Sequence, residues 1–159
     1  MLTQDRVKEL LHYDPETGVF VWREWRGGTA FAGTEAGRLA RGYVGISVDK
    51  RRYPAHRLAW LYVTGEWPPQ EIDHINGHRA DNRWSNLRLA DRSVNNQNRR
   101  AAHCHSKTGV LGVTMEAGRY RAAITVGGKT RHIGSYSSAD LAHAAYLSAK
   151  RELHPGCTL

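Results

Sequence analysis

Asp73-His74-Ile75-Asn76-Gly77, with Asn86 thirteen residues after Asp73 and Asn95 twenty-two after it, supplies one carboxylate, one imidazole and two amides. That set suffices to hydrolyse a phosphodiester bond. In-line attack of water needs a base to take the water's proton and a cation to neutralise charge developing on phosphorus and on the departing oxygen. An unperturbed imidazole titrates near pH ~6.5, so His74 is the natural base. Asp73 and Asn95 offer oxygen donors, which suit a hard cation such as Mg²⁺ or Mn²⁺ and suit zinc poorly. Asn86 is placed to accept a hydrogen bond from the other imidazole nitrogen, which would fix the tautomer of the base.

Local patterning predicts how these residues are carried. Glu71 to His74 reads as a strand end, Asn76 to Asn86 as a polar loop rich in turn formers, and Leu87 to Ala90 as a second strand. Asp91 or Ser93 can cap a helix running to about Arg100. Asn95, Asn96 and Asn98 on that helix are mediocre helix formers, so side-chain chemistry outweighs propensity there. Upstream, the pattern predicts a helix over residues 3–12, an alternating strand from Val19 to Arg23 and another from Tyr43 to Val48. A basic turn, Asp49 to Arg52, then leads into a helix from Ala55 to Thr64. Trp22, Trp25, Trp60 and Trp67 are expected as core and covering aromatics, with base stacking the sharper alternative for Trp25. His56 is expected as a packed or phosphate-contacting histidine rather than a second base.

Ile72-Asp73-His74-Ile75-Asn76-Gly77, Asp81-Asn82-Arg83, Ser85-Asn86-Leu87-Arg88 and Ser93-x-Asn95-Asn96 resemble the HNH endonucleases of phages and mobile introns. The resemblance implies a ββα-metal arrangement in which Asp73 and Asn95 bind the metal, His74 is the general base and Asn86 orients it. One inserted residue would exchange Asn95 for Asn96. The implied products carry 5′-phosphate and 3′-hydroxyl ends.

From Gly109 the character changes. Leu111 to Thr114, Arg119 to Val126 and Lys129 to Tyr136 read as three strands with a Gly127-Gly128 hairpin, and Ser137 or Ser138 caps an alanine-rich helix from Ala139 to about Glu152. Gly112-Val113, Tyr120-x-Ala122-x-Ile124, Ile133-Gly134-Ser135-Tyr136 and Ala139-x-x-Ala142-x-x-Ala145-Tyr146 resemble the ethylene-response-factor (APETALA-type) DNA-binding domain. In that family the three-stranded sheet lies in the major groove, which implies that Arg119 and Arg121 face DNA. On the third strand the alignment turns Thr130 and His132 toward DNA, although Lys129 and Arg131 carry the charge, and a one-residue bulge would exchange the two pairs. Arg99 and Arg100 lie in a basic stretch that could track phosphates or simply be exposed. The expected organisation is α+β: a catalytic domain over 1–100, a basic linker over 101–108 and a three-stranded sheet packed on one helix over 109–159.

Composition is consistent with a double-stranded DNA substrate. Twenty-three Lys and Arg against fifteen Asp and Glu give a net charge of +8, spread along the chain, so polyanions are attracted. Cys104 and Cys157 lack the spacing of a zinc knuckle or disulfide framework. No apolar run reaches membrane length and the start lacks a signal-peptide core, so a bacterial or phage-infected cytoplasm is expected, with no membrane partner. A monomer or weak dimer with one site per chain would nick, and paired visits would break both strands. The alternatives are a non-enzymatic DNA-binding regulator with a decayed motif and a broad-specificity phage nuclease; the target sequence and biological role are not encoded in any motif.

Overall fold

The structure is a computed structural model and describes residues 1–28, 30–154 and 156–158. It combines helices with several small antiparallel sheets, compatible with α+β, and its chain divides into two compact units, residues 1–91 and 92–159.

In the first unit, helix α1 (Gln4–Leu10) is capped by the Thr3 hydroxyl, which accepts from the Arg6 N–H. It stops short of residue 12. Leu11 is already extended, because Leu11 and Tyr13 alternate into the core and strand periodicity overrides the helix there. Strands β1 (Leu11–Asp14) and β2 (Val19–Trp22) form a hairpin whose turn is tied by Asp14, accepting from the Glu16 N–H and the Thr17 hydroxyl. A three-stranded sheet follows, β3 (Arg38–Ala40), β4 (Tyr43–Val48) and β5 (Arg51–Pro54), in the order β3-β4-β5. The expected basic turn is confined to Asp49 and Lys50, both at positive φ. Helix α2 (Ala55–Thr64) begins after Pro54 and ends at Gly65 in the left-handed region. Strands β6 (Glu71–His74) and β7 (Leu87–Ala90) pair antiparallel, with Asp73 opposite Arg88 and His74 opposite Leu87. Val7, Leu10, Leu11, Tyr13, Phe20, Ile46, Leu58 and Leu61 form the core, to which Ile72 and Leu87 anchor the β6–β7 pair.

The second unit has its own core of Val113, Ala122, Ile124, Ala142 and Tyr146. Strands β8 (Val113–Glu116), β9 (Arg119–Val126) and β10 (Lys129–Tyr136) lie in the order β10-β9-β8 beside a helix, which is α4 once α3 (Arg92–Gln97) is counted. Helix α4 (Ala139–Leu153) is capped by the Ser138 hydroxyl, accepting from the Leu141 N–H. The first strand starts two residues later than its sequence pattern, after Gly112 at φ +75°, where a Cβ would fall 2.1 Å from the Tyr146 ring. Helix α3 ends at Gln97 rather than Arg100. The segment after α4 packs against it: the Gly156 N–H donates to Gln97 Oε1 at 3.0 Å and the Thr158 hydroxyl to Asn98 Oδ1 at 2.6 Å. Lys150 Nζ donates to the Arg99 carbonyl. These contacts place the division between units at Asp91/Arg92, ahead of the boundary at 100 read from the sequence.

Gly18, at φ +75°, seats the β1–β2 turn on a distant loop: a Cβ there would lie 2.3 Å from Arg83 N and 2.4 Å from the Asn82 carbonyl carbon. Both obstacles are backbone and cannot swing away. Gly18→Ala is expected to lower unfolding stability by at least ~1–3 kcal/mol, the cost of a strained backbone position, and to shift the amide resonances of residues 81–84. An unchanged melting temperature would show that the turn does not rest on that loop.

Candidate active site

The loop between β6 and β7 holds itself together with its own side chains. Gly77, at positive φ, turns the chain back through a bond from its N–H to the His74 carbonyl at 2.8 Å. Asn76 Nδ2 donates to Asp81 Oδ2 at 2.7 Å, and Arg83 grips Asp81 with Nε and Nη2 at 2.9 and 2.6 Å. Asn86, in a short 3₁₀ turn (Trp84–Asn86), bridges the loop: Oδ1 accepts from the Asn76 N–H at 2.9 Å and Nδ2 donates to the Asp81 carbonyl at 2.8 Å. The first unit's hairpin closes over it, with Tyr13 Oη donating to the Asn82 carbonyl at 2.7 Å and the Trp84 N–H donating to the Pro15 carbonyl at 2.9 Å.

His74 is 4 % exposed, and its Nε2 is bonded to Asn82, not Asn86. Asn86 has both amide atoms engaged by loop backbone, so the hydrogen bond expected of it falls to the neighbouring amide. Asn82 Nδ2 donates to the Ala80 carbonyl at 3.2 Å, which leaves Oδ1 facing His74 Nε2 at 3.3 Å. A carbonyl oxygen can only accept, so Nε2 carries the proton and the basic lone pair is on Nδ1. Burial pushes the imidazole below its ordinary value, opposed by the Asn82 bond and the Asp73 and Asp81 charges, and assisted by Arg79. His74 is therefore held neutral and directional. No motif singled out Asn82 for this contact, although Asp81-Asn82-Arg83 was among the residues that carried the resemblance.

Asp73 is 6 % exposed, and its Oδ2 accepts from Arg88 Nε and Nη2 at 3.0 and 2.8 Å. This cross-strand pair fixes the carboxylate's orientation. Among the described residues, no three His, Cys, Asp or Glu side chains gather as a metal cage. One carboxylate with amide oxygens is a low-charge, hard donor set, which fits a cation that completes its shell from phosphate and water, as Mg²⁺ does. Asn95 lies in α3, within the second unit.

The rings of His56 and Tyr43 stand beside His74. His56, at the start of α2, meets it edge to face at 5.1 Å between centroids, and Tyr43 of β4 lies 6.2 Å from His74 and 5.6 Å from His56. Burial, with the neighbouring His74 and Arg57, lowers His56 to about 4, so it is neutral at working pH, and its buried Nδ1 has no hydrogen-bond partner. It is packed, one of the two roles its sequence context left open. Trp22 is buried, Trp60 and Trp67 pack on the core, and Trp25 is 64 % exposed.

Residues 53–97 match the family model described as HNH endonuclease. The comparisons with curated proteins and with solved structures gave no match. The HNH segment runs from β5 through α3 and contains Asp73, His74, Asn82, Asn86 and Asn95, together with His56 and Arg79, while leaving the β8–β10 sheet uncovered.

On that sheet, cross-strand partners share a face. Arg121 stands opposite Thr114 and Ser135, His132 opposite Ala123, and Thr130 opposite Thr125, all away from the Ala122 and Ile124 side that packs on α4. The bulge lies between His132 and Gly134, beyond Thr130 and His132, so these two share the Arg119 and Arg121 face. Lys129 and Arg131 oppose Val126 and Ile124 on the other face, with exposed side chains. Arg121 Nε donates to His132 Nδ1 at 3.0 Å and Nη1 to Glu116 Oε2 at 2.7 Å. In the basic stretch before the expected linker, Arg99 bonds His103, and Arg100 donates to the Thr158 hydroxyl at 2.9 Å.

The loop's rigidity is testable through Asp81. Hydrogen bonds from Arg83 and Asn76 hold its carboxyl at about 2, below the ordinary 3.8. A folded-state value below the unfolded one means stabilisation that is complete above about pH 4 and is lost as pH falls through about 2. Asp81→Asn should therefore be less stable than the parent at neutral pH, with the gap in chemical-denaturation midpoint closing across that acid window. A gap independent of pH would refute the ion-pair account.

Proposed function

We propose that this protein is a metal-dependent HNH DNA endonuclease, with residues 1–100 housing the catalytic machinery, 101–108 joining it to the remainder, and 109–159 acting as a DNA reader of the ethylene-response-factor type. The observation that carries the reading is the Asn82 amide, which fixes His74 as the Nε2–H tautomer beside Asp73 within the segment matching HNH endonucleases.

In this reading His74 Nδ1 takes a proton from the attacking water as its oxygen bonds to phosphorus and the P–O3′ bond breaks. The 3′-oxygen collects a proton from solvent, leaving 5′-phosphate and 3′-hydroxyl ends. Asp73 and Asn95 would hold Mg²⁺ or Mn²⁺, which when bound supplies positive charge at the phosphorus and the departing oxygen. Arg88 keeps the Asp73 carboxylate aimed. Asn86 acts on the base indirectly, by closing the loop that presents Asn82.

A supercoiled plasmid incubated with Mg²⁺ is expected to be nicked, EDTA to stop the reaction, and His74→Ala to slow it by at least ~10²-fold, the usual worth of a positioned general base. A plasmid left supercoiled by the parent protein would favour a DNA-binding regulator instead. Loss of activity in Asn96→Ala but not in Asn95→Ala would move the ligand by one position.

Targeting is assigned to the sheet face carrying Arg119, Arg121 and His132, with Lys129, Arg131, Arg99 and Arg100 as flanking positive charge. In Arg119→Ala and Arg121→Ala the slope of log affinity against log salt should fall by about 0.9 for each phosphate contact removed. Cleavage at saturating DNA should persist. Unchanged slopes and an unchanged nick distribution would relieve this sheet of the reading role.

A further inference from the structure

The arginines around the loop are not equivalent. Arg83 is committed to Asp81 and Arg88 to Asp73, each through two guanidinium nitrogens. Arg79, at the exposed tip of the same loop, makes no ion pair among the described residues. Its guanidinium lies over the ring of Tyr43, 5.1 Å from the centroid. That same ring stands 6.2 Å from His74. A guanidinium stacked on an aromatic face keeps its N–H groups directed outward in the plane of the fork, where a tetrahedral oxyanion can accept two of them.

Tyr43 thus carries Arg79 on a ring that also borders His74, and among the described residues no ion pair occupies the guanidinium. A carboxylate partner in place of the ring would have neutralised the guanidinium, as happens at Arg83 and Arg88. A buried partner would have withdrawn it from any substrate.

We propose that Arg79, seated on Tyr43, binds a non-bridging oxygen of the scissile phosphate and stabilises the charge that grows there as water attacks. This rests on His74 being the base of a phosphodiesterase. A solvated surface arginine would change overall affinity through the general field. An arginine on the reacting phosphate changes the rate of the bound complex, where losing one preorganised donor costs ~10²–10³ in turnover.

The test uses the full chain and a duplex containing the nick position mapped on plasmid DNA, assayed under single turnover with saturating protein. Arg79→Gln is expected to slow cleavage about 10²-fold, Arg79→Lys to recover part of the loss and Tyr43→Leu to slow it about tenfold. A neutral methylphosphonate at the scissile position removes the charge that Arg79 would meet. It should therefore penalise the parent far more than Arg79→Gln, because the two changes delete one interaction. Equal methylphosphonate penalties in both proteins, or an Arg79→Gln rate within threefold of the parent, would overturn the assignment while leaving the nuclease reading intact. A parent that leaves the duplex uncut with both Mg²⁺ and Mn²⁺ would remove the nuclease reading and this inference with it.

Discussion

The bond from His74 Nε2–H to Asn82 Oδ1 determines where the basic nitrogen points, and it depends on a buried amide whose other end is held by the Ala80 carbonyl. Asp73, His74, Asn82 and Asn86 are all buried. Each such group costs ~1–3 kcal/mol if left without a partner, so the loop is stable only as a closed circuit: Asn76 to Asp81, Asp81 to Arg83, Asn86 to both loop arms. Opening one bond strands its neighbours. Rigidity at His74 is thus a consequence of satisfying polar groups, since few apolar contacts are available inside so short a loop.

The circuit still needs a wall to stand against, and the β1–β2 hairpin provides it. Tyr13 packs on Phe20 at 4.6 Å and on Tyr62 at 5.7 Å, so its ring is fixed by the core while its hydroxyl reaches the Asn82 carbonyl. Burial pushes the Tyr13 hydroxyl well above its ordinary value, so it remains a donor throughout the working range. Pro15 and Gly18 then bring backbone against backbone, leaving no side chain between the turn and Arg83. The upstream elements therefore do more than complete a core. They set the position of the amide that orients His74.

The residues proposed for the chemistry stood out in the sequence by their side chains: a carboxylate, an imidazole and amides at fixed spacing. The strands carrying them were legible from alternation, as at Glu71–His74 and Leu87–Ala90. The identity of the amide touching His74 was not. Asn82 and Asn86 are equally amide, and which one reaches the ring depends on the path of the loop, decided by the Gly77 turn and the Asp81 circuit. The contact of Gly18 with Arg83 was hidden for a related reason, being a meeting of backbones far apart in sequence that leaves no periodic trace. The sheet face was only half legible. Parity along β10 depends on where the bulge falls, and Gly134, without a side chain, tolerates it next to His132.

On the proposed reading, charge arrangement links the site to its substrate. Asp81 and Asp73, the carboxylates nearest His74 in the loop and strand, are each countered by a guanidinium, so an approaching phosphate meets little local repulsion despite the two acids. The same neutralisation weakens Asp73 as a lone cation ligand, because Arg88 already draws on its Oδ2. On the proposed reading, a divalent cation would then gain much of its binding energy from the phosphate rather than from the protein. Linkage makes that dependence mutual: whatever DNA adds to cation affinity, the cation adds to DNA affinity. A site of this kind assembles on its substrate, with His74 and Asn82 already in place and the charged components arriving together.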